Sequence, residues 1–302
     1  MACLWAARLW ELPNIESVLL LLRSQSAVAD LQKAGGIRLR RGKTEILAPV
    51  QGHFIPSVDA PISHLLVCTK AQDAEEAIAS VAHLFTADTN IVLLQNGIKM
   101  QQKVSKHYDK QKVYALSTSQ GAYLQAPFEV VHAGFGQSYL GVLSPSLGDK
   151  PAQAERLMQS FPVQEMNIQW DANITARLWI KFAINCAING LTVIYNCRNG
   201  ELLQHPERLA TLRTLCDEIQ HILNHTPASP ALDNLYTQVE TVLLATADNV
   251  SSTLQDARKG QTTEFTQFNP YLCELAQNYH LTAPANERLI HQFSATLARM
   301  AD

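Results

Sequence analysis

Three residues, Lys181, Asn185 and Asn189, recur at intervals of four inside an otherwise apolar run, NITARLWIKFAINCAINGLTVIYNCRNG, at positions 173–200. Positions i, i+4 and i+8 fall close together on one helix face, so a polar stripe lies on a helix whose composition calls for burial. A buried ammonium is strongly disfavoured without partners, and a buried carboxamide must find hydrogen bonds. The stripe therefore reads as the wall of an active site. A polar contact such as a dimer interface, with the amides satisfied by neighbouring backbone, is the other use for such a face.

A second polar cluster comprises Asn249, Ser251, Ser252, Gln255 and Asp256, followed by Glu264 after Gly260. Ser252 and Asp256 share a helix face, but Arg258 and Lys259 beside them suit a solvated surface equally well. Asp217, His221 and His225 also line one face at intervals of four. They lack the glutamate base of a zinc-helix motif and sit in an ordinary amphipathic pattern, so no metal site is expected there.

The elements that must position these groups divide into two kinds. The first part reads as alternating strands and helices. A helix over Leu4 to Leu12 precedes SVLLLL, a run typical of a strand covered on both faces. Gly35 to Leu47 alternates apolar and basic residues around Gly42, as a half-exposed hairpin does. HLLVCTK ends at Lys70, a helix follows over Asp73 to Leu84, and IVLLQNG ends at Asn96-Gly97. This is the doubly wound α/β pattern, in which ligands sit beyond the carboxyl ends of strands, and it puts Lys70 and Asn96 where ligand contacts are expected. Arg23 follows SVLLLL at the place where an acidic residue would bind a ribose diol. A basic residue with small hydroxylated neighbours suits a 2′-phosphate, which favours NADP over NAD.

KVYALSTSQGA, FEVVHAG and SYLGVL read as further strands completing that sheet, and Pro151 to Phe161 as one more helix. VQEMNIQWDAN reads as the joint, dividing the chain into a dinucleotide-binding domain over 1–166 and an all-helical domain over 167–302. The second part holds helices over Thr175 to Asn196 and Pro206 to His225, and a very long one from about Pro230, started by Ser229-Pro230, to Lys259. Two more lie on either side of Pro284.

The 302 residues are enough for two real cores, and 47% hydrophobic with 17% charged residues describes a globular chain. No uninterrupted apolar run reaches the length of a membrane span, and MACLWAARLWEL is broken by Arg8 and Glu11 where a signal peptide would be apolar. Six scattered cysteines without a CxxC pair suit reduced thiols in the cytoplasm. A net charge of -3 offers nothing to nucleic acid.

RLWIKFAINCAINGLTVIYNCRNGELLQHP and NVSSTLQDARKGQTTEF, in that order, closely resemble the two signatures of the ketopantoate reductase family, and VCTKAQD and LLQNG extend the similarity over almost the whole chain. The resemblance implies a Rossmann-like domain followed by a helical domain, NADP(H) as cofactor, a small 2-oxo acid as substrate, no nucleic acid or membrane partner, and allows a homodimer. It implies that Lys181 protonates the 2-keto oxygen with Glu264 as its acidic partner. Asn185, Asn189, Asn249 and Ser252 correspond to substrate ligands, Lys70 and Asn96 to residues beside the cofactor, and Arg23 to the 2′-phosphate ligand. A truncated paralogue that binds without turnover, or a reductase of another 2-oxo acid, are the alternatives. The family begins with a strand and GxGAxG, whereas this chain begins at Met1-Ala2-Cys3, so Met1 is expected to be an internal methionine of a longer protein. Gln120 replaces a usual histidine, and TEFTQFNP keeps Glu264 and Asn269 but loses an Asp and a Gly of the family pattern.

Overall fold

Residues 1–143 and 151–301 are described by a computed structural model. They form two units, Met1–Gln95 with Met100–Ile174, and Asn96–Lys99 with Thr175–Asp302. The first unit has a Rossmann-like α/β architecture and the second is helical.

In the first unit, α1 (Ala2–Trp10) buries Leu4, Trp5 and Ala7 completely, and Trp5 meets Phe161 edge-on at 6.3 Å between ring centroids. β1 (Leu19–Leu22) leads through Ser24 into α2 (Gln25–Ala34). The Ser24 hydroxyl caps α2 by accepting the Ala27 N–H at 3.2 Å. β2 (Ile37–Arg41) and β3 (Thr44–Ala48) form the expected hairpin, with Gly42 at φ +57° in its two-residue turn, a conformation that favours glycine. β4 (Gln51–Phe54), β5 (Ile62–Val67), α3 (Ala71–Ala79), β6 (Phe85–Leu93), α4 (Lys99–His107) and β7 (Lys112–Thr118) follow. Then come β8 (Gly121–Ala126), β9 (Glu129–Gly134), β10 (Ser138–Val142), α5 (Pro151–Gln159) and β11 (Ile168–Trp170).

Five strands make one sheet in the order β11-β10-β7-β6-β5, with β5, β6 and β7 parallel. Val92, Tyr114, Leu116 and Leu140 of its strands pack with α1 and with Phe161 in one core.

Three expectations are corrected here. The SVLLLL strand is not covered on both faces: β1 is hydrogen-bonded to β4 alone, and Leu19 is 41% exposed. With a strand on one edge only among the described residues, its leucines lack the neighbours that a central strand would give them. Nor do all the later strands complete the main sheet. β8 and β9 join the hairpin in a separate sheet, β3-β2-β9-β8, because β9 pairs in parallel with β2 through Leu39↔Val130. Finally, the joint is not all connector. β11 pairs with β10 from Ser138↔Ile168 to Leu140↔Trp170, and the first unit runs to Ile174.

Gln120 organises the turns beside β7. Its amide donates to the carbonyls of Gly136 at 2.7 Å and Met166 at 2.8 Å, while its Oε1 accepts the Gly136 N–H and lies 2.8 Å from His132 Nε2. Four contacts from one carboxamide exceed what an imidazole ring could supply, and they tie Gly136, Met166 and His132 together.

The second unit is built on α6 (Ile174–Ile194), whose apolar residues Trp179, Phe182, Ala183, Cys186 and Leu191 are all buried. α7 (Pro206–Asn224), α8 (Leu235–Ala245), α9 (Ser252–Arg258), α10 (Asn269–Asn278) and α11 (Pro284–Ala301) follow it. The single long helix expected from Pro230 to Lys259 is two short ones, and side chains explain both interruptions. The Asn224 amide donates to the Leu232 carbonyl and accepts the Leu232 N–H, holding that segment extended until Asn234, at φ +53°, starts α8. After α8 the chain leaves the helix to offer the carbonyls of Ala247 and Asn249 to the N–H groups of Gly200 and Asn199, each at 3.0 Å. Only glycine fits at position 200, since a Cβ there would lie 2.7 Å from that of Ala247.

Candidate active site

The stripe of α6 is graded in burial: Lys181 and Asn185 are half-buried, and Asn189 is buried. Lys181 and Glu264 interact electrostatically. Burial pushes the Lys181 ammonium down to about 8, and the Glu264 carboxylate opposes that fall. Glu264 immediately precedes the 3-10 turn Phe265–Gln267, and its Oε2 accepts a hydrogen bond from Asn96 Nδ2 at 3.2 Å. Asn96 belongs to the short segment counted with the helical unit. That segment is fastened further by the ion pair of Lys99 with Glu274 and by Lys99 Nζ lying 5.1 Å above the Tyr271 ring. Residues distant in sequence thus bring an ammonium, a carboxylate and a carboxamide together.

Asn185 lies one turn along the same face, and its amide has no hydrogen-bond partner among the described residues. A further turn on, Asn189 passes its backbone carbonyl to Thr192 Oγ1 at 2.9 Å, and that hydroxyl meets Ser251 Oγ at 2.6 Å. Ser251 also accepts the Leu254 N–H at 3.1 Å as the N-cap of α9. The two serines of the second signature therefore differ: Ser251 is buried and structural, while Ser252 is exposed at the first position of α9. Asn249 is exposed as well, and its carbonyl is engaged by Asn199. Sequence reasoning missed the link between Thr192 and Ser251. The pattern of a serine three residues before a buried Leu254 N–H signals the cap, but nothing in the spacing pairs it with α6.

The arrangement can bind an anionic or carbonyl oxygen at Lys181, hold hydroxyl groups between Glu264 and the amides, and deliver a proton from the ammonium. An ammonium with its pKa near 8 is poised to do so at neutral pH. If it is the proton donor, kcat/KM falls as pH rises through about 8. Removing the charge of Glu264, which holds that pKa up, moves this fall to lower pH. Comparing pH profiles of the native protein and Glu264→Gln tests the sign, and an unmoved or raised alkaline limb refutes it.

Arg23 and Lys70 belong to the first unit and follow β1 and β5. Arg23 is 66% exposed and reaches Asp73 Oδ2 only at 3.7 Å, while Lys70 stands at the N-cap of α3, the helix that carries Asp73. The Ser24 and Ser26 hydroxyls, which follow Arg23 in the chain, lie 3.0 Å apart. The six cysteines are free thiols, and none of the described helices is long and apolar enough to cross a membrane.

Comparison with known proteins matches residues 1–145 to the family described as Ketopantoate reductase PanE/ApbA and residues 173–296 to Ketopantoate reductase PanE/ApbA C terminal. The 2-dehydropantoate 2-reductase of Yersinia pestis is 31% identical over 225 residues, 74% of this chain and 71% of that protein. Among solved structures, 2-dehydropantoate 2-reductase from Methylococcus capsulatus superposes with a TM-score of 0.81 at 20% identity, covering 99% of this chain and 94% of that one. The ternary structure of D-mandelate dehydrogenase with NADH and anilino(oxo)acetate superposes at 0.82, also at 20% identity, covering 98% and 95%. These two structural likenesses speak to the fold alone.

Proposed function

Because the chain belongs to the ketopantoate reductase family, we propose that it is an oxidoreductase reducing 2-dehydropantoate to (R)-pantoate with NADPH, a step of pantothenate and coenzyme A synthesis. The meeting of Lys181, Glu264 and Asn96 carries this reading. A nicotinamide, when bound, supplies the hydride that C2 of the keto acid receives. The Lys181 ammonium donates a hydrogen bond to the 2-keto oxygen and transfers its proton there, so that the carbonyl becomes a secondary alcohol. Glu264 accepts a hydrogen bond from the substrate hydroxyl and opposes the loss of the lysine's proton before substrate arrives. Asn185 and Asn189 turn the hydroxyl and keto groups toward Lys181, and Asn249 and Ser252 meet the hydroxyl or carboxylate end.

Arg23 holds the 2′-phosphate, with Lys70 and Asn96 beside the cofactor. Free thiols throughout suit the reducing conditions of the cytoplasm. Function is tested by following NADPH absorbance with ketopantoate, using the protein expressed from its natural reading frame. Ketopantoate-dependent oxidation is expected, and its absence removes the assignment. In the same assay Arg23→Ala raises the KM for NADPH about 10- to 100-fold, as loss of a charge-assisted bond does, and leaves NADH nearly unaffected. Equal losses with both cofactors argue against a phosphate contact.

A further inference from the structure

Behind the stripe lies a polar network that the mechanism above does not use. Asn269, the first residue of α10, is fully buried, and its amide gives both hydrogens away. One goes to the Cys186 carbonyl of α6 at 2.9 Å and the other to Asn286 Oδ1 at 2.7 Å. Asn286, also fully buried, donates from Nδ2 to Glu218 Oε1 at 2.8 Å. The Glu218 carboxylate accepts the backbone N–H groups of Ala285 and Asn286 too, each at 2.8 Å. Four helices, α6, α7, α10 and α11, are joined through these three side chains.

The network reaches α6 between the residues that matter: Cys186 lies next to Asn185 and between Lys181 and Asn189. It reaches the other side of the pair as well. Glu264 and Asn269 are separated only by the turn Phe265–Gln267 and by Phe268; the turn is closed by the Gln267 N–H to the Glu264 carbonyl and the Phe268 N–H to that of Phe265, both at 2.9 Å. Phe265 is itself fixed, stacked on Phe293 at 3.6 Å, and a Cβ on Gly190 of α6 would come within 3.0 Å of its ring. Glu264 is thus placed by an anchor on the same helix that carries Lys181. Asn269 Oδ1 has no hydrogen-bond partner among the described residues, a desolvation cost that a purely apolar contact would avoid.

We propose that Asn269, held by Asn286 and Glu218, is the positioning residue that fixes the Glu264 carboxylate opposite the Lys181 ammonium. The proposal rests on the reading of that pair as proton donor and acidic partner. Its signature is electrostatic: when Glu264 drifts, Lys181 loses the charge that holds up its pKa.

The test compares the native protein with Asn269→Ala and with Asn269→Leu, which fills the volume without donors and keeps the packing where alanine does not. Thr226→Ala, which deletes a buried hydroxyl bond at the far end of α7, serves as a measure of stability loss alone. Titration of Lys181 by NMR of the 13C-methylated protein, assigned with Lys181→Arg, reports the pair without any turnover. In both Asn269 variants Lys181 titrates at lower pH, the alkaline limb of kcat/KM follows it, and kcat falls by about 100-fold, the penalty of a misplacement near 1 Å. A Lys181 titration that stays in place, with only the lowered melting temperature of Thr226→Ala, overturns the proposal. Loss of ketopantoate reduction by the native protein itself would instead overturn the proposed function, and the titration would still be readable.

Discussion

Lys181→Ala lowers kcat by about 10³-fold while the protein stays folded, the loss expected when a general acid that also stabilises a developing oxyanion is removed. Binding falls less than turnover, because Asn185 and Asn189 still line the face. Stability does not suffer, since the burial that pushes this ammonium down to about 8 is a penalty on its charged form, and the penalty disappears with the side chain. Steady-state rates with ketopantoate, alongside circular dichroism and a thermal melt, separate the two effects. Wild-type turnover in this variant would strip Lys181 of its role.

The second large effect is on stability. Trp179 is 1% exposed and lies edge-on to Phe182 at 5.7 Å, and Phe182 in turn meets Tyr271 of α10 at 5.8 Å. Trp179→Ala leaves a cavity at the junction of α6 with its neighbours and costs about 3–5 kcal/mol. Trp179→Phe costs far less, because the indole N–H is buried without an acceptor among the described residues and its removal forfeits none of their bonds. Urea unfolding followed by far-UV circular dichroism measures both variants, and coincident midpoints for alanine and phenylalanine would refute the packing argument.

Much of the helical unit was legible because its patterns are local. α6, α7, α10 and α11 lie close to where apolar periodicity, Pro206 and Pro284 put them. The stripe itself follows from spacing alone, since any helix brings Lys181, Asn185 and Asn189 onto one face. The misreadings share a cause. The helix that ends at Ala245, the strands that leave the main sheet and the strand inside the joint are each set by partners remote in sequence. Gly200 for Ala247, Leu39 for Val130 and Ser138 for Ile168 are invisible to any window of ten residues, and Asn224 for Leu232 is a side-chain grip on the backbone that periodicity does not register.

By itself, the sequence determined the family, the α/β and helical division, and the helix face that carries the ammonium, because periodicity and signature motifs are properties of neighbouring residues. Tertiary structure alone decided what that face meets. Asn96 and Glu264 are 168 positions apart and share a hydrogen bond. Asn269 and Cys186 are 83 apart and tie α10 to α6. The two adjacent serines of one motif became a buried cap and an exposed first-turn residue. Burial and long-range hydrogen bonding depend on which elements pack together, and it is burial, opposed by the charge of Glu264, that brings the pKa of Lys181 down to about 8.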